Sequence, residues 1–222
     1  GATYYIRIYS AANGTGQGNF TVCITKPTPP TNDNCSGATS LTPAATCVNG
    51  TSQRTGTLIN ATNSGLIAGG CGGTADDDVW YSFVAAYNTH TITVSNIGSA
   101  IAVNGSGIGG SVVVEVFESS NNTCGGVFTS IACGQVSGTN LIAYANSLTV
   151  GNTYFVRVYS TNSVSLNANA GFNICVQNPF TGAPTVNFGK SFINITKGNT
   201  GGTVETGDVL EIRAAIVLRA TS

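Results

Sequence analysis

A repeat of domain-sized spacing is the feature that most constrains the fold of this chain. The segment LTVGNTYFVRVYS, which starts at residue 148, has a near-copy, GATYYIRIYS, that starts at residue 1. The runs GFNICVQNP and GNFTVCITKP follow the two copies and also align, after a two-residue difference in the connecting loop. A spacing of about 150 residues is too long for a solenoid unit and is typical of a whole domain. The repeat therefore predicts tandem modules that end in the same pair of strands.

Short runs of alternating residues predict that the chain is all-β. In DDDVWYSFVA, the residues Val79, Tyr81 and Phe83 fall on one predicted face, and in HTITVS the residues His90 and Val94 share a face. Segments rich in glycine, asparagine and serine separate these runs, and no stretch of the chain predicts a helix. This pattern is typical of an antiparallel β-sandwich or jelly roll. We therefore expect sandwich modules in tandem, stapled by disulfides.

Breaks in the pattern divide the chain into four parts. Residues 1–26 are predicted to be the last two strands of a preceding module, and the Pro-rich stretch 27–32 a semi-rigid linker. Residues 33–179 are predicted to form a complete β-sandwich module. Residues 180–222 hold too few strands to bury a core and are predicted to open an incomplete Ig-like sandwich. The incomplete ends have two explanations, truncation of a longer chain or completion by strands of neighbouring chains.

The composition argues against several classes of function and indicates a compartment. Only 8% of the residues are charged and the net charge is −1, so no field attracts a nucleic acid or an anionic membrane surface. No apolar segment reaches the roughly 18–20 residues of a membrane-spanning helix. Seven cysteines without a CxxC or Cys/His cluster predict disulfides rather than zinc. We therefore expect an extracellular or cell-surface protein.

Chain order and the predicted strands favour one pairing scheme for the cysteines. The scheme joins Cys47 to Cys71, Cys124 to Cys133 and Cys35 to Cys175. Cys23 would then find its partner outside these 222 residues, in the preceding module. A competing scheme joins Cys23 to Cys35 across the linker and leaves Cys175 free. Either way, we interpret the odd number of cysteines as a sign of truncation and not of a reactive thiol.

The pattern as a whole resembles the bacterial pre-peptidase C-terminal domain, a secreted β-sandwich. The resemblance covers roughly residues 31–178, with the tail copy at 1–27. The segments that carry it are NDNCSGATSLT, CGGTADDDVWYSFVA, HTITVS and the ending VGNTYFVRVYS with GFNICV. It implies a repeat of a large secreted surface protein of Bacteroidota, exported by the type IX route and acting as a spacer, adhesin repeat or accessory domain of a hydrolase. The segment GGTVETGDVLEIRAAIVL resembles the start of a bacterial Ig-like surface repeat.

An acidic cluster is the candidate metal site. Asp76, Asp77 and Asp78 could supply two or three of the hard oxygen ligands that calcium prefers, and Asp33 is a candidate remote ligand. Neighbouring side chains on an extended backbone point apart, however, so three adjacent carboxylates reach one ion only from a bent loop. This geometry favours a structural turn over a calcium site. Calcium is the one cofactor that the sequence suggests.

An aromatic and cationic stripe is the candidate ligand platform. Phe155, Arg157 and Tyr159 project from one predicted sheet face, where such side chains could stack on a sugar ring. The same residues could instead form an internal cation–π ladder. The stripe recurs in the tail copy at residues 5–9, and a feature shared by repeated modules is more often framework than a ligand site. We therefore expect framework, with a surface glycan as the alternative partner.

The sequence does not predict an enzyme. His90 is the only histidine and no G-x-S-x-G elbow accompanies it. Glu115 and Glu118 fall on opposite faces of one predicted strand, whereas a glycosidase pair must converge on one cleft. We predict a non-catalytic structural or adhesive repeat segment of a secreted multi-domain surface protein or extracellular fibre, whose partners are copies of itself or adjacent modules. The alternative is a glycan- or calcium-binding accessory module of a secreted hydrolase.

Overall fold

Two five-stranded sheets face each other across a shared apolar layer in the computed structural model, which describes residues 3–9, 18–24, 26–66, 70–179, 185–194, 196, 199–200 and 209–219. The strands of the sandwich, in chain order, are β1 (Thr39–Ser40), β2 (Gln53–Thr57), β3 (Val79–Val84), β4 (His90–Ser95), β5 (Val112–Ser119), β6 (Phe128–Cys133), β7 (Gln135–Ser137), β8 (Asn140–Ala145), β9 (Thr153–Ser160) and β10 (Gly171–Gln177). Sheet A has the order β1-β3-β9-β5-β6 and sheet B the order β2-β10-β4-β8-β7. All neighbours are antiparallel except β1, which lies parallel to β3.

Alternating side chains build the layer between the sheets, as the sequence predicts. Val79, Tyr81 and Phe83 of β3 are buried against Ile92 and Val94 of β4 and their neighbours. Helical geometry within the described residues is limited to two 3₁₀ turns, Cys35–Gly37 and Ser99–Ile101. In that part of the chain we find no helix with the length and apolar character needed to span a bilayer. The predicted fold class, an all-β antiparallel sandwich with disulfides, is confirmed.

Sheet A is buried on its outer face as well. Trp80, Phe117 and Phe155 form a second apolar cluster there, together with Leu66 and Phe128. The loop between β2 and β3, described at residues 58–66 and 70–78, supplies Leu66 to this cluster, and we call it the cover loop. Strand β9 is therefore buried on both sides from Tyr154 onward. This two-sided burial explains why its sequence is apolar or aromatic at nearly every position.

The disulfides join Cys35 to Cys124, Cys47 to Cys175 and Cys71 to Cys133. All three predicted pairings, Cys47–Cys71, Cys124–Cys133 and Cys35–Cys175, are therefore wrong. So is the competing Cys23–Cys35 pairing, because Cys23 is exposed and outside any disulfide.

Strand geometry explains why the pairings predicted from chain order fail. Cys124 precedes the extended strand β6 and Cys133 is its last residue; the strand spans about 20 Å, whereas a disulfide needs Cα atoms within about 7 Å. The other predicted pairs link the two outer sides of the sandwich. Cys71 and Cys35 pack among the residues that cover the outer face of sheet A, while Cys47 and Cys175 meet at sheet B. Each disulfide therefore joins two cysteines on the same outer side of the sandwich.

The two ends of the chain differ from each other. Residues 3–9 and 18–24 form no strand, so the strand pair predicted within residues 1–26 is not observed there. Toward the other end, β11 (Thr185–Asn194) pairs antiparallel with β13 (Leu210–Arg219), and β12 (Asn199–Thr200) adds to β11. The strands predicted in residues 180–222 therefore form. Their side chains lie outside the described part of the structure, and so do the bounds of the predicted Ig-like domain.

A glycine in β2, Gly56, packs directly against two aromatic rings. A Cβ atom on Gly56 would lie 2.0 Å from Oη of Tyr81 and 2.6 Å from the ring of Phe172. These two rings, one from each sheet, meet edge to face with centroids 6.2 Å apart. Only a residue without a side chain leaves room for this contact.

We expect Gly56→Ala to lower the free energy of unfolding by about 1–3 kcal/mol, because the added methyl group overpacks the contact between Tyr81 and Phe172. Urea denaturation under oxidising conditions measures the change. Gly125→Ala is the matched control, since a Cβ there would meet only the Thr123 hydroxyl, at 3.7 Å. Equal stability of the two variants would contradict tight packing of Gly56 against Tyr81 and Phe172.

Candidate functional site

The buried guanidinium of Arg157 is the centre of the polar structure on the outer face of sheet A. It donates hydrogen bonds to Oε2 of Glu115 at 2.7 Å and to the backbone carbonyl of Leu66 at 2.6 Å. It also forms an ion pair with Oδ2 of Asp78 at 3.4 Å. All three charged side chains are fully buried. A charge removed from water is tolerated only when it is paired and hydrogen-bonded, so the two carboxylates are a condition for placing Arg157 here.

Aromatic rings enclose the same guanidinium. Its central carbon lies 5.5 Å from the ring centroid of Trp80, 5.2 Å from that of Phe117 and 5.0 Å from that of Tyr159. The Tyr159 hydroxyl donates a hydrogen bond to the carbonyl of Gly72 in the cover loop. Phe155, Arg157 and Tyr159 are 4%, 0% and 0% exposed. The stripe is therefore an internal cation–π ladder, and the alternative of an open glycan platform at these residues is wrong.

Three carboxylates fix loops through the same two-pronged contact, in which one aspartate accepts hydrogen bonds from the backbone N–H and the hydroxyl of one Ser or Thr. We call each contact a carboxylate clamp. The clamps join Asp33 to Thr62, Asp78 to Ser64 and Asp77 to Ser160. All three involve the cover loop: one ties Thr62 to Asp33, one joins Ser64 to Asp78 within the loop, and one ties Asp77, near the end of the loop, to Ser160 at the end of β9. No sequence pattern identifies the clamps, because Ser and Thr are too common in this chain to mark a partner.

The clamps direct the acidic cluster away from a common point. Asp77 binds Ser160, Asp78 binds Ser64 and Arg157, and Asp76 accepts a hydrogen bond from the hydroxyl of Thr74. Asp33, the candidate remote ligand, is bound to Thr62. Among the described residues, no group of three or more His, Cys, Asp or Glu side chains is placed to hold a metal ion. The geometry corresponds to the structural turn that the sequence favours, and it does not form the convergent site that calcium needs.

Burial dominates the electrostatics of these acids. It raises the pKa of Asp77 from 3.8 to about 6, against the opposing effect of the Ser160 hydrogen bonds. It also raises the pKa of Asp78, while the bonds from Ser64 and the charge of Arg157 act in the opposite direction. The pKa of Tyr159 rises to about 12 because of burial and, to a smaller extent, the charge of Glu115. The raised pKa values of Asp77 and Asp78 mean that keeping these carboxylates ionised in the folded protein costs stability, although their hydrogen bonds fix the loops.

His90 is a structural residue at the start of β4. Its Nε2 accepts hydrogen bonds from the backbone N–H groups of Ala86 and Tyr87, so Nδ1 carries the proton and donates to the carbonyl of Gln177. Burial lowers the pKa of this imidazole, partly offset by the Gln177 carbonyl. His90 is almost completely buried at the start of the strand. It joins β4 to the last residue of β10.

Two positions in the sequence indicate the ionic cluster. The chain has only eight basic and nine acidic residues. Arg157 and Glu115 nevertheless sit in the middle of the apolar runs TYFVRVYS and VVVEVF. Lone charges within strands that are otherwise apolar indicate a buried ion pair, because an unpaired charge there would prevent folding. Glu118, the other member of the pair considered for catalysis, is exposed and lies apart from the cluster.

We expect Arg157→Met to lower the free energy of unfolding by about 3–5 kcal/mol, because it leaves Glu115 buried beside an apolar side chain. Adding Glu115→Gln should recover part of that loss, since the second change removes the unpaired charge. Glu118→Gln, an exposed site on the same strand, serves as the control and should change stability by less than about 0.5 kcal/mol. Strictly additive losses in urea denaturation would contradict the pairing.

Asp77→Asn tests the buried carboxylate through pH. Because the folded-state pKa of Asp77 is raised above its unfolded value, this group costs stability as pH rises from about 4 through 6. We expect the stability of the Asn variant relative to the wild type to improve between pH 4 and pH 7.5 by on the order of 2–3 kcal/mol. Asp76→Asn is the matched charge control and should show no comparable improvement. Thermal and urea unfolding at both pH values measure the difference, and parallel profiles for all three proteins would overturn this account.

No protein-family model, no curated protein and no solved structure matches this chain. The resemblance to the pre-peptidase C-terminal domain therefore stays a prediction based on sequence segments. The chain does contain a sequence repeat of its own: residues 1–25 are similar in sequence to the segment that forms β9 and β10.

Proposed function

We propose that this chain is a load-bearing structural segment of a secreted, multi-domain cell-surface protein or extracellular fibre. Three disulfides indicate an oxidising environment outside the cytoplasm. The resemblance to secreted spacer and adhesin modules is consistent with this role. Its partners are adjacent modules or neighbouring copies, and its task is to hold an adhesive or enzymatic part of a larger protein away from its anchor.

The position of one disulfide carries the proposal. Cys47 lies between β1 and β2, near the start of the sandwich, and Cys175 lies in β10, its last strand. The bond joins two residues that are 128 positions apart in sequence, with their Cα atoms 5.9 Å apart. Tension applied between the linker and the exit would pass through this bond. The polypeptide between the two cysteines, including most of both sheets, would remain unstretched.

The backbone beside this disulfide is arranged for shear. Ala44 and Gln177 form a parallel bridge, so the β1–β2 segment and β10 run in the same direction. The N–H of Asn178 donates to the carbonyl of Ala44 at 2.8 Å, and the N–H of Ala44 donates to the carbonyl of Val176 at 3.1 Å. Pulling the β1–β2 segment backward and β10 forward slides the two segments along each other. Their hydrogen bonds then share the load instead of opening one after another.

The use of charge within the sandwich also supports a framework role. Arg157 and Glu115 pair with each other inside the fold. The carboxylate clamps consume three more carboxylates, at Asp33, Asp77 and Asp78. In a chain with so few charged residues, these groups contribute to holding loops and strands together. The use of these charged side chains for contacts within the fold favours a structural role over ligand binding.

Single-molecule force spectroscopy tests the load path, with handles at Thr28 and Asn178 of the full chain. In the wild type, about 20 residues lie outside the Cys47–Cys175 shortcut, so the sandwich should lengthen by no more than about 70 Å. In the Cys47→Ser/Cys175→Ser variant, the next shortcut is Cys35–Cys124, and about 60 residues, or about 200 Å, should extend. Full reduction should release about 500 Å.

Cys71→Ser/Cys133→Ser is the matched control, because that disulfide lies off the shortest covalent path. It should leave the wild-type extension unchanged. A wild-type extension as long as that of the Cys47→Ser/Cys175→Ser variant would show that the bond does not carry load. The proposed function would then lose its support.

A further inference from the structure

The N-terminal tail, which we define as residues 3–9 and 18–24, exposes a set of large apolar side chains. Tyr4 and Tyr5 are 87% and 95% exposed. The other exposed members are Ile6, Ile8, Tyr9, Phe20, Val22 and Ile24. Neither part of the tail forms a strand, although both have the alternation of one. Exposed apolar surface of this extent marks a binding surface, and the chain itself indicates what covers it.

Every exposed apolar residue of the tail has a buried counterpart in β9 or β10. Tyr4 corresponds to Tyr154, which is 2% exposed, and Tyr5 to Phe155, which is 4% exposed. The same alignment pairs Ile6 with Val156, Ile8 with Val158, Tyr9 with Tyr159, Phe20 with Phe172, Val22 with Ile174 and Ile24 with Val176, all of them buried in the sandwich. The tail therefore has the side chains that the interior of such a sandwich accepts. Within the described residues, no strand surrounds it.

The tail also repeats the polar features of these strands. The guanidinium carbon of Arg7 lies 5.2 Å from the ring centroid of Tyr9, as that of Arg157 lies 5.0 Å from the ring centroid of Tyr159. Cys23 aligns with Cys175, which is disulfide-bonded to Cys47, whereas Cys23 is exposed and outside any disulfide. Arg7 and Cys23 thus align with two residues of β9 and β10 that have partners in the sandwich, since Arg157 pairs with Glu115 and Cys175 with Cys47.

We propose that the tail is the closing strand pair of a second sandwich of this kind, and that it docks into the eight strands equivalent to β1–β8 of that sandwich. Residues 3–9 take the place of β9, between the equivalents of β3 and β5. Residues 18–24 take the place of β10, between the equivalents of β2 and β4. Arg7 enters a pocket with carboxylates at the positions of Asp78 and Glu115.

A covalent bond completes the docking. Cys23 forms a disulfide with the partner cysteine at the position of Cys47. The two thiols together lose two electrons and two protons to a small-molecule disulfide such as oxidised glutathione, which is reduced to two thiols. This inference deepens the proposed function and rests on it for its meaning, because the bond would extend the covalent load path from one sandwich through residues 23–47 into the next.

A graft within the full chain tests whether the tail fits this position. Residues 151–179 are replaced by a copy of residues 1–27, and the original Cys23 is changed to serine so that only the grafted cysteine can pair. We expect one cooperative unfolding transition and a disulfide between Cys47 and the grafted cysteine, identified by peptide mass spectrometry. Cys35–Cys124 and Cys71–Cys133 should remain as in the wild type.

A second graft carries Ile6→Asp and Ile8→Asp in the transplanted copy, at the positions of the core residues Val156 and Val158. We expect this protein to lose the cooperative transition and the Cys47 disulfide. Failure of the first graft to fold, or equal folding of both grafts, would overturn the proposal. The pulling experiment uses the wild-type disulfide and does not involve the tail, so failure of the graft and failure of the load-bearing function are separate results.

Discussion

The ion pair between Arg157 and Glu115 lies on a sheet face that would be open to water in a simple two-layer sandwich. At 2.7 Å, with both side chains fully buried, the pair requires that water be kept out and that every other donor find an acceptor. The cover loop contributes to both, since Leu66 supplies a carbonyl to the guanidinium and Ser64 binds the second carboxylate, Asp78, although the buried indole N–H of Trp80 has no hydrogen-bond partner among the described residues. A buried cation thus obliges the chain to build a third layer over sheet A.

Two disulfides and three carboxylate clamps keep that third layer in place. The cover loop has little regular structure of its own, so its ordering entropy must be offset by a small number of strong contacts. Cys71 fastens it to the end of β6, and the Cys35–Cys124 bond fastens the segment that precedes β1 to the neighbouring loop. The third disulfide belongs to the opposite sheet and has a different consequence, since it joins a residue near the start of the sandwich to its last strand.

The sequence predicts those parts of this structure that depend on local pattern. Alternation in DDDVWYSFVA and HTITVS gives the strands and the faces of β3 and β4, because a period of two is read from neighbouring residues. The disulfides and the clamps depend on which loops meet across a face, and chain order carries little information about that. Cys124 and Cys133 illustrate the failure, since nearness in sequence becomes distance in space once β6 is extended between them. The Asp77–Ser160 clamp spans 83 positions and has no local signature.

The tail has the alternation of a strand but forms none in its described residues, a combination that the proposed docking would explain. The identity of its residues with β9 is strongest at the positions that matter for register, including the cation at Arg7. A slip of one residue would turn that cation toward the apolar layer between the sheets and would bury it without a carboxylate. In β9 the corresponding Arg157 pairs with one carboxylate on each side: Asp78, just before the neighbouring strand β3, and Glu115 in the neighbouring strand β5. The charge in the middle of an apolar strand therefore selects one register among several that hydrophobic burial alone would allow. The same selection would act on any eight strands that receive the tail, which makes Arg7 a determinant of how such a docking is aligned.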